Sequence, residues 1–149
     1  MSAPNLVSGY DHVAYATKNT DATVALLQSL GFTVTIYKEK LDRFNVCITK
    51  MVSRSGHVAE IVEPLGARSA VSAVLQNVDA TVYHTCFRTD DFHATHRRLK
   101  EQGAVSVTNP MRIPYPVTPA HEHFLTSHMF HADLWVFEVT GPVVGSPTD

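Results

Sequence analysis

Two histidines and two glutamates recur in the same order along this chain. His12 is followed 48 residues later by Glu60, and His84 is followed 54 residues later by Glu138. Each sits in a run that alternates as a β-strand does, so residues two apart share a face. His12 shares its face with Ala14 and Ala16, and His84 with Cys86 and Arg88. Glu60 shares its face with Val58 and Val62, and Glu138 with Val136 and Thr140. Both glutamates lie in apolar stretches, VAEIVEP and WVFEV, where a carboxylate needs a strong partner, and a metal ion is one of the few adequate ones. Two imidazoles and two carboxylates form a mixed nitrogen and oxygen set suited to one divalent ion: Zn, Ni, Co, Mn or Fe(II). His12, Glu60, His84 and Glu138 are therefore the candidate metal ligands. Glu138 and Glu60 are also the candidate catalytic carboxylates.

The elements that must position these residues form an internal repeat. At a constant offset of 72, His12 matches His84, Thr17 matches Thr89, Thr23 matches Thr95, Leu27 matches Leu99 and Gly31 matches Gly103. Later, GHVAEIVEP aligns with LWVFEVTGP, and the extra six residues of the second half fall in the Pro- and His-rich stretch 109–131. Strands are expected at 10–17 and 81–89. Asn19-Thr20-Asp21 and Asp90-Asp91 are helix-start residues, and Gly31 and Gly103 are helix-end residues. The first helix is expected to turn Ala22, Ala25, Leu26 and Leu30 to one side, and the second Phe92, Thr95 and Leu99. Three further strands are expected after each helix, at about 32–37, 44–52 and 57–63, then at about 104–108, 122–129 and 133–140. The expected fold is α+β: two tandem βαβββ modules forming a curved eight-stranded mixed sheet. A single domain is expected over 1–149, with module one at about 9–65, a connecting helix at about 67–76 and module two at about 80–142.

Composition narrows the function. With 149 residues, 44% of them hydrophobic, the chain has a globular composition. The formal net charge is −2 and the twelve basic residues are scattered, which argues against nucleic acid as a partner. No apolar run reaches bilayer-spanning length, and the opening MSAPNLVSGYDH does not read as a signal peptide. Cys47 and Cys86 read as buried thiols of a cytoplasmic protein. The expected partner is a small-molecule substrate, with no membrane and with a homodimer left open. No Walker A, GxGxxG, GxSxG or HExxH pattern occurs.

Three residues outside the ligand set are candidate substrate contacts. Arg88 lies on the His84 face, where it can anchor an anionic group or close a salt bridge. Tyr115 and His123 belong to the stretch 109–131, which is expected to cover the metal cleft. Pro110, Pro114, Pro116 and Pro119 stiffen that stretch.

The runs YDHVAYAT, VAEIVEPLGARSAVSAVL, YHTCFRTDDFHATHRRLKEQGA and WVFEVTGP, taken in order, resemble the vicinal oxygen chelate superfamily. The nearest likeness is to methylmalonyl-CoA epimerases and glyoxalase-type proteins. The resemblance covers nearly all of residues 9–142. It implies the paired βαβββ fold, one divalent metal and the same four ligands. The chain departs from the epimerase pattern in two places. Those enzymes carry a carboxylate base on the strand before the second ligand, where this chain has NVCITK and no acid. Their second ligand is usually Gln, where this chain has Glu60, as in bacterial lactoylglutathione lyases. The favoured expectation is an isomerase or lyase acting through a metal-stabilised enolate on a small carbonyl or acyl-thioester substrate. One alternative is a non-haem Fe(II) oxygenase using His12, His84 and Glu138, although Glu60 would fill a position that oxygen needs. The other is a metal-free binding or resistance protein, against which the complete ligand set argues.

Overall fold

The computed structural model describes residues 7–145. Two βαβββ modules are present. In the first, β1 (Val7–Thr17) leads to α1 (Thr20–Ser29), β2 (Thr33–Leu41), β3 (Val46–Val52) and β4 (Val58–Pro64). In the second, β5 (Ala80–Thr89) leads to α2 (Phe92–Glu101) and then to β6 (Val105–Ser106), β7 (Met111–Arg112), β8 (Leu125–His131) and β9 (Trp135–Gly141).

The chain falls into two compact units. Residues 12–84 form one, and the described residues before and after them, 7–11 and 85–145, form the other. Strands β1 and β5 therefore each contribute residues to both. In the first unit the strand order is β2-β3-β4-β1-β5, and in the second it is β1-β5-β9-β8-β6 with β7 beside β8. The β1/β4 and β5/β9 pairs are parallel, while β2/β3, β3/β4, β6/β8 and β8/β9 are antiparallel, so the sheet is mixed as the repeat requires.

The repeat governs local structure closely. Asn19 caps α1 by accepting the Ala22 N–H at 3.1 Å, and Asp91 caps α2 by accepting the Ala94 N–H at 3.2 Å. The matched threonines explain themselves in the same way. Thr23 donates to the Thr17 hydroxyl at 2.9 Å, and Thr95 and Thr89 share the equivalent bond. Gly31 and Gly103 follow the helices at φ 92° and 96°, the left-handed region in which a side chain would be strained.

Each helix packs on the strand face opposite the candidate ligands. Val24 and Leu27 of α1 pack with Met51, Ala59 and Ile61, and Tyr15 and Phe32 close the cluster. Phe92 of α2 packs with Ala104, Met129, Phe137 and Val139, with Phe87, Leu99 and Leu125 against them.

Several expectations are corrected. The buried face of α1 is Thr20, Val24 and Leu27, whereas Leu26 and Leu30 are 71% and 74% exposed and Ala22 and Ala25 face outward as well. Residues 67–76 form consecutive turns rather than a helix. Their N–H groups reach three residues back, from Ser72 to Ser69 and from Leu75 to Ser72, at 3.2 and 3.3 Å. The Ser72 hydroxyl donates to the Gly66 carbonyl at 2.8 Å, a local side-chain bond that competes with helical pairing. The strand expected at 104–108 is reduced to Val105–Ser106, and a further two-residue strand, β7, forms inside the Pro-rich stretch. Among the described residues no helix is long and apolar enough to cross a membrane.

The corrected face of α1 is directly testable. Leu27→Ala is expected to cost about 2–5 kcal/mol, as a buried leucine does. Leu26→Ala is expected to change stability by less than about 0.5 kcal/mol, as an exposed one does. Urea denaturation of the two variants checks the assignment, and equal midpoints would overturn it.

Candidate functional site

In the unit formed by residues 12–84, two of the other candidate ligands, Glu60 and His84, stand beside His12. The parallel β1/β4 register sets Ala14 against Glu60, so Glu60 shares a face with His12 two residues upstream. His12 Nε2 stands 3.4 Å from Glu60 Oε2. The His12 and His84 rings meet edge to face with centroids 5.9 Å apart, and each offers a ring nitrogen within 4.8 Å of the other's. All three side chains are buried: His12 is 3% exposed, Glu60 4% and His84 3%. Small residues flank them, with Ala14 and Ala16 fully buried on the same strand face. Buried imidazole and carboxylate groups are the donor types that suit a divalent cation.

Sequence reasoning missed one member of this cluster. Lys50 on β3 lies directly across from Glu60 in the antiparallel register, and its Nζ is 3.9 Å from Glu60 Oε2. Cys47, the residue singled out on that strand, pairs with Glu63 and so faces the other way. Burial raises the pKa of the Cys47 thiol, and the nearby Glu63 carboxylate raises it further. The face that β3 shares with Glu60 presents Val46, Ile48, Lys50 and Val52, with no carboxylate.

The other unit holds Glu138, 6% exposed, in register with Cys86 on β5. This repeats the first module, since Ala14 and Cys86 each lie two residues after a candidate histidine. The Thr126 hydroxyl donates a short hydrogen bond to Glu138 Oε2. His128, in cross-strand register with Glu138, brings Nε2 to 3.6 Å from Oε1. The spacing of the sequence repeat did not flag either neighbour, because neither residue type recurs at the matching position of β3, where Ile48 and Lys50 stand.

The remaining candidates separate. Arg88 is half-buried, with its guanidinium 5.1 Å from the centre of the Phe124 ring. Tyr115 is half-buried. His123 is exposed, so the structure does not place it among the buried groups where a substrate contact was expected. His121 takes a more engaged position. It shares a 2.8 Å hydrogen bond with Asp11 Oδ1 through Nε2, while Nδ1 lies 3.0 Å from the Thr118 hydroxyl. The Pro-rich stretch is thus tied to the residue that precedes His12.

His121→Ala is expected to release that stretch before it unfolds the chain. A hydrogen bond to a carboxylate contributes about 1.5–3 kcal/mol. Protease cleavage within 113–120 is expected to rise several-fold while the main thermal transition moves by only a few degrees. Unchanged cleavage would show that the bond does not hold the segment.

A profile of the Glyoxalase/Bleomycin resistance protein/Dioxygenase superfamily matches residues 11–118. No curated protein matches the sequence. Among solved structures, the chain is similar to methylmalonyl-CoA epimerase from Mycobacterium tuberculosis. The TM-score is 0.76 at 22% identity, covering 97% of this chain and 94% of that one. It is similar also to a methylmalonyl-CoA epimerase in complex with methylmalonyl-CoA and NH4+, with a TM-score of 0.72 at 21% identity, covering 96% and 100%. A third is a variant of the Streptomyces coelicolor methylmalonyl-CoA epimerase in complex with 2-nitronate-propionyl-CoA, with a TM-score of 0.71 at 20% identity, covering 93% and 99%. At these identities the likeness is one of fold.

Proposed function

The chain belongs to the Glyoxalase/Bleomycin resistance protein/Dioxygenase superfamily, and from that premise we propose that it is a metal-dependent isomerase or lyase acting through an enolate on a small carbonyl or acyl-thioester substrate. The observation that carries this reading is the buried cluster of His12, Glu60 and His84, with imidazole and carboxylate 3.4 Å apart. Glu138 is assigned as the fourth ligand from the repeat, in which it is the counterpart of Glu60. A divalent ion held by these residues supplies Lewis acidity, which lowers the pKa of the C–H beside a carbonyl and stabilises charge developing on the substrate oxygen.

The chain's own groups account for the proton. Glu138 is the proposed base. Thr126 donates to its Oε2, and His128 Nε2 stands 3.6 Å from its Oε1 as a relay for the proton. Apolar Ile48 and Val62, paired across β3 and β4, limit water on the Glu60 face. Arg88 and Tyr115 are the proposed substrate contacts, and His121 holds the covering stretch.

Elemental analysis of protein purified without added chelator is expected to find about one divalent ion per chain. His84→Ala and Glu138→Ala are each expected to lose it. Saturating metal, at 100 times its Kd, is expected to stabilise the wild type by about 2.7 kcal/mol. Unchanged metal stoichiometry in both variants would place the site elsewhere.

Efficient methylmalonyl-CoA epimerisation is not expected, because a two-base reaction needs an acceptor on each side of the carbanion and β3 presents none. Deuterium incorporation from solvent into methylmalonyl-CoA, followed by mass spectrometry, tests this. Incorporation at ordinary enzymatic turnover, on the order of 1–1000 per second, would refute it.

A further inference from the structure

We propose that Lys50 is a positioning and charge-balancing residue of the His12–Glu60–His84 cluster: it holds the Glu60 carboxylate in place and lowers the affinity of the cluster for divalent cations. The inference rests on the metal reading of the site given above and deepens it.

Three observations support it. Lys50 and Glu60 are Cα partners in the β3/β4 register, so the backbone itself places both side chains on one face. The Lys50 ammonium approaches Glu60 Oε2 at 3.9 Å, and that same oxygen is the one 3.4 Å from His12 Nε2. Both side chains are largely shielded, 14% exposed for Lys50 and 6% for Glu60, so water screens their attraction weakly. Lys50 is moreover the one charged residue among the four that β3 presents to this face, the others being Val46, Ile48 and Val52.

The second module repeats the arrangement with different chemistry. His128 is the Cα partner of Glu138 in the β8/β9 register, as Lys50 is of Glu60, and both pairs shift by the same 78 positions between modules. A basic side chain thus stands across from each candidate carboxylate ligand. In the second module it is an imidazole, and in the first an ammonium.

The physical consequence has two signs. Before an ion binds, the ammonium offsets a buried carboxylate that would otherwise cost stability. Once an ion approaches, the same ammonium repels it and competes for the oxygen it would use. Lys50 therefore favours the metal-free protein over the loaded one, and its removal must shift that balance toward binding.

The test uses the full chain with Zn(II) or Co(II) alone as probe, titrated in competition with a chromophoric chelator. Lys50→Met and Lys50→Gln are expected to bind the ion about tenfold more tightly or better. Their metal-free melting temperatures are expected to fall and the metal-induced rise to grow. Lys50→Arg is expected to stay within about threefold of the wild type, since it keeps the charge. If the wild type binds one ion while Met and Gln variants bind no more tightly, the role of Lys50 is overturned and the metal site stands. An arginine variant that binds as tightly as the methionine variant also overturns it. A wild type that binds no ion overturns both readings.

Discussion

The arrangement depends on the cost of taking ionisable side chains out of water. His12, Glu60 and His84 are each less than 5% exposed. A lone buried carboxylate carries a penalty of several kcal/mol unless close opposite charge and hydrogen bonds offset it. The chain meets that requirement through backbone register rather than through long side-chain reach. Parallel pairing of β1 with β4 brings Glu60 beside the His12 strand, and antiparallel pairing of β3 with β4 brings Lys50 across from it. The helices are consequently confined to the other strand face, where Val24, Leu27, Met51, Ala59 and Ile61 form a wholly apolar cluster. Polar chemistry and packing are thus divided between the even and odd residues of the same strands.

The second module solves the same problem with other groups. Glu138 is held by the Thr126 hydroxyl on one oxygen and faced by His128 on the other. The two modules share the geometry of the carboxylate and differ in what stands across from it. That pattern is expected of a duplicated unit in which strand register is maintained while individual contacts diverge. The hydroxyl pairs Thr17/Thr23 and Thr89/Thr95 mark the opposite case, where the same local bond persists at each strand-to-helix corner.

Much of this was legible in the sequence, for reasons that differ by residue. The helix caps Asn19 and Asp91 and the glycines after the helices act within a few residues, so local pattern suffices to find them. His12, Glu60 and His84 stood out because a carboxylate in an apolar strand is anomalous and the His/Glu pattern occurs twice. The profile and the solved structures bear out the resemblance to the superfamily and the paired βαβββ fold. Lys50 escaped notice because a lysine in a strand is ordinary until the register shows what faces it. The orientation of α1 was misread because Leu26 and Leu30 are apolar yet exposed, and helical spacing alone cannot say which of two apolar stripes meets the sheet. The turns at 67–76 depend on competition by Ser69 and Ser72 for backbone groups, which residue spacing does not weigh. In the stretch 109–131 the prolines were legible, but the bond between His121 and Asp11 joins positions 110 residues apart.

The division of β1 and β5 between units sets contacts of different sequence separation side by side on one strand. Residues 12–84 are contiguous and form one compact unit. The opening residues of β1 belong with residues beyond 84, and the Ser8 hydroxyl reaches the Arg88 carbonyl across 80 positions of chain. Joining them closes a long loop, and loop closure costs entropy that grows with length. Non-local pairings of this kind slow folding. In the strand that carries His12, the upstream end is consequently closed by contacts that span more chain than the unit its downstream end belongs to.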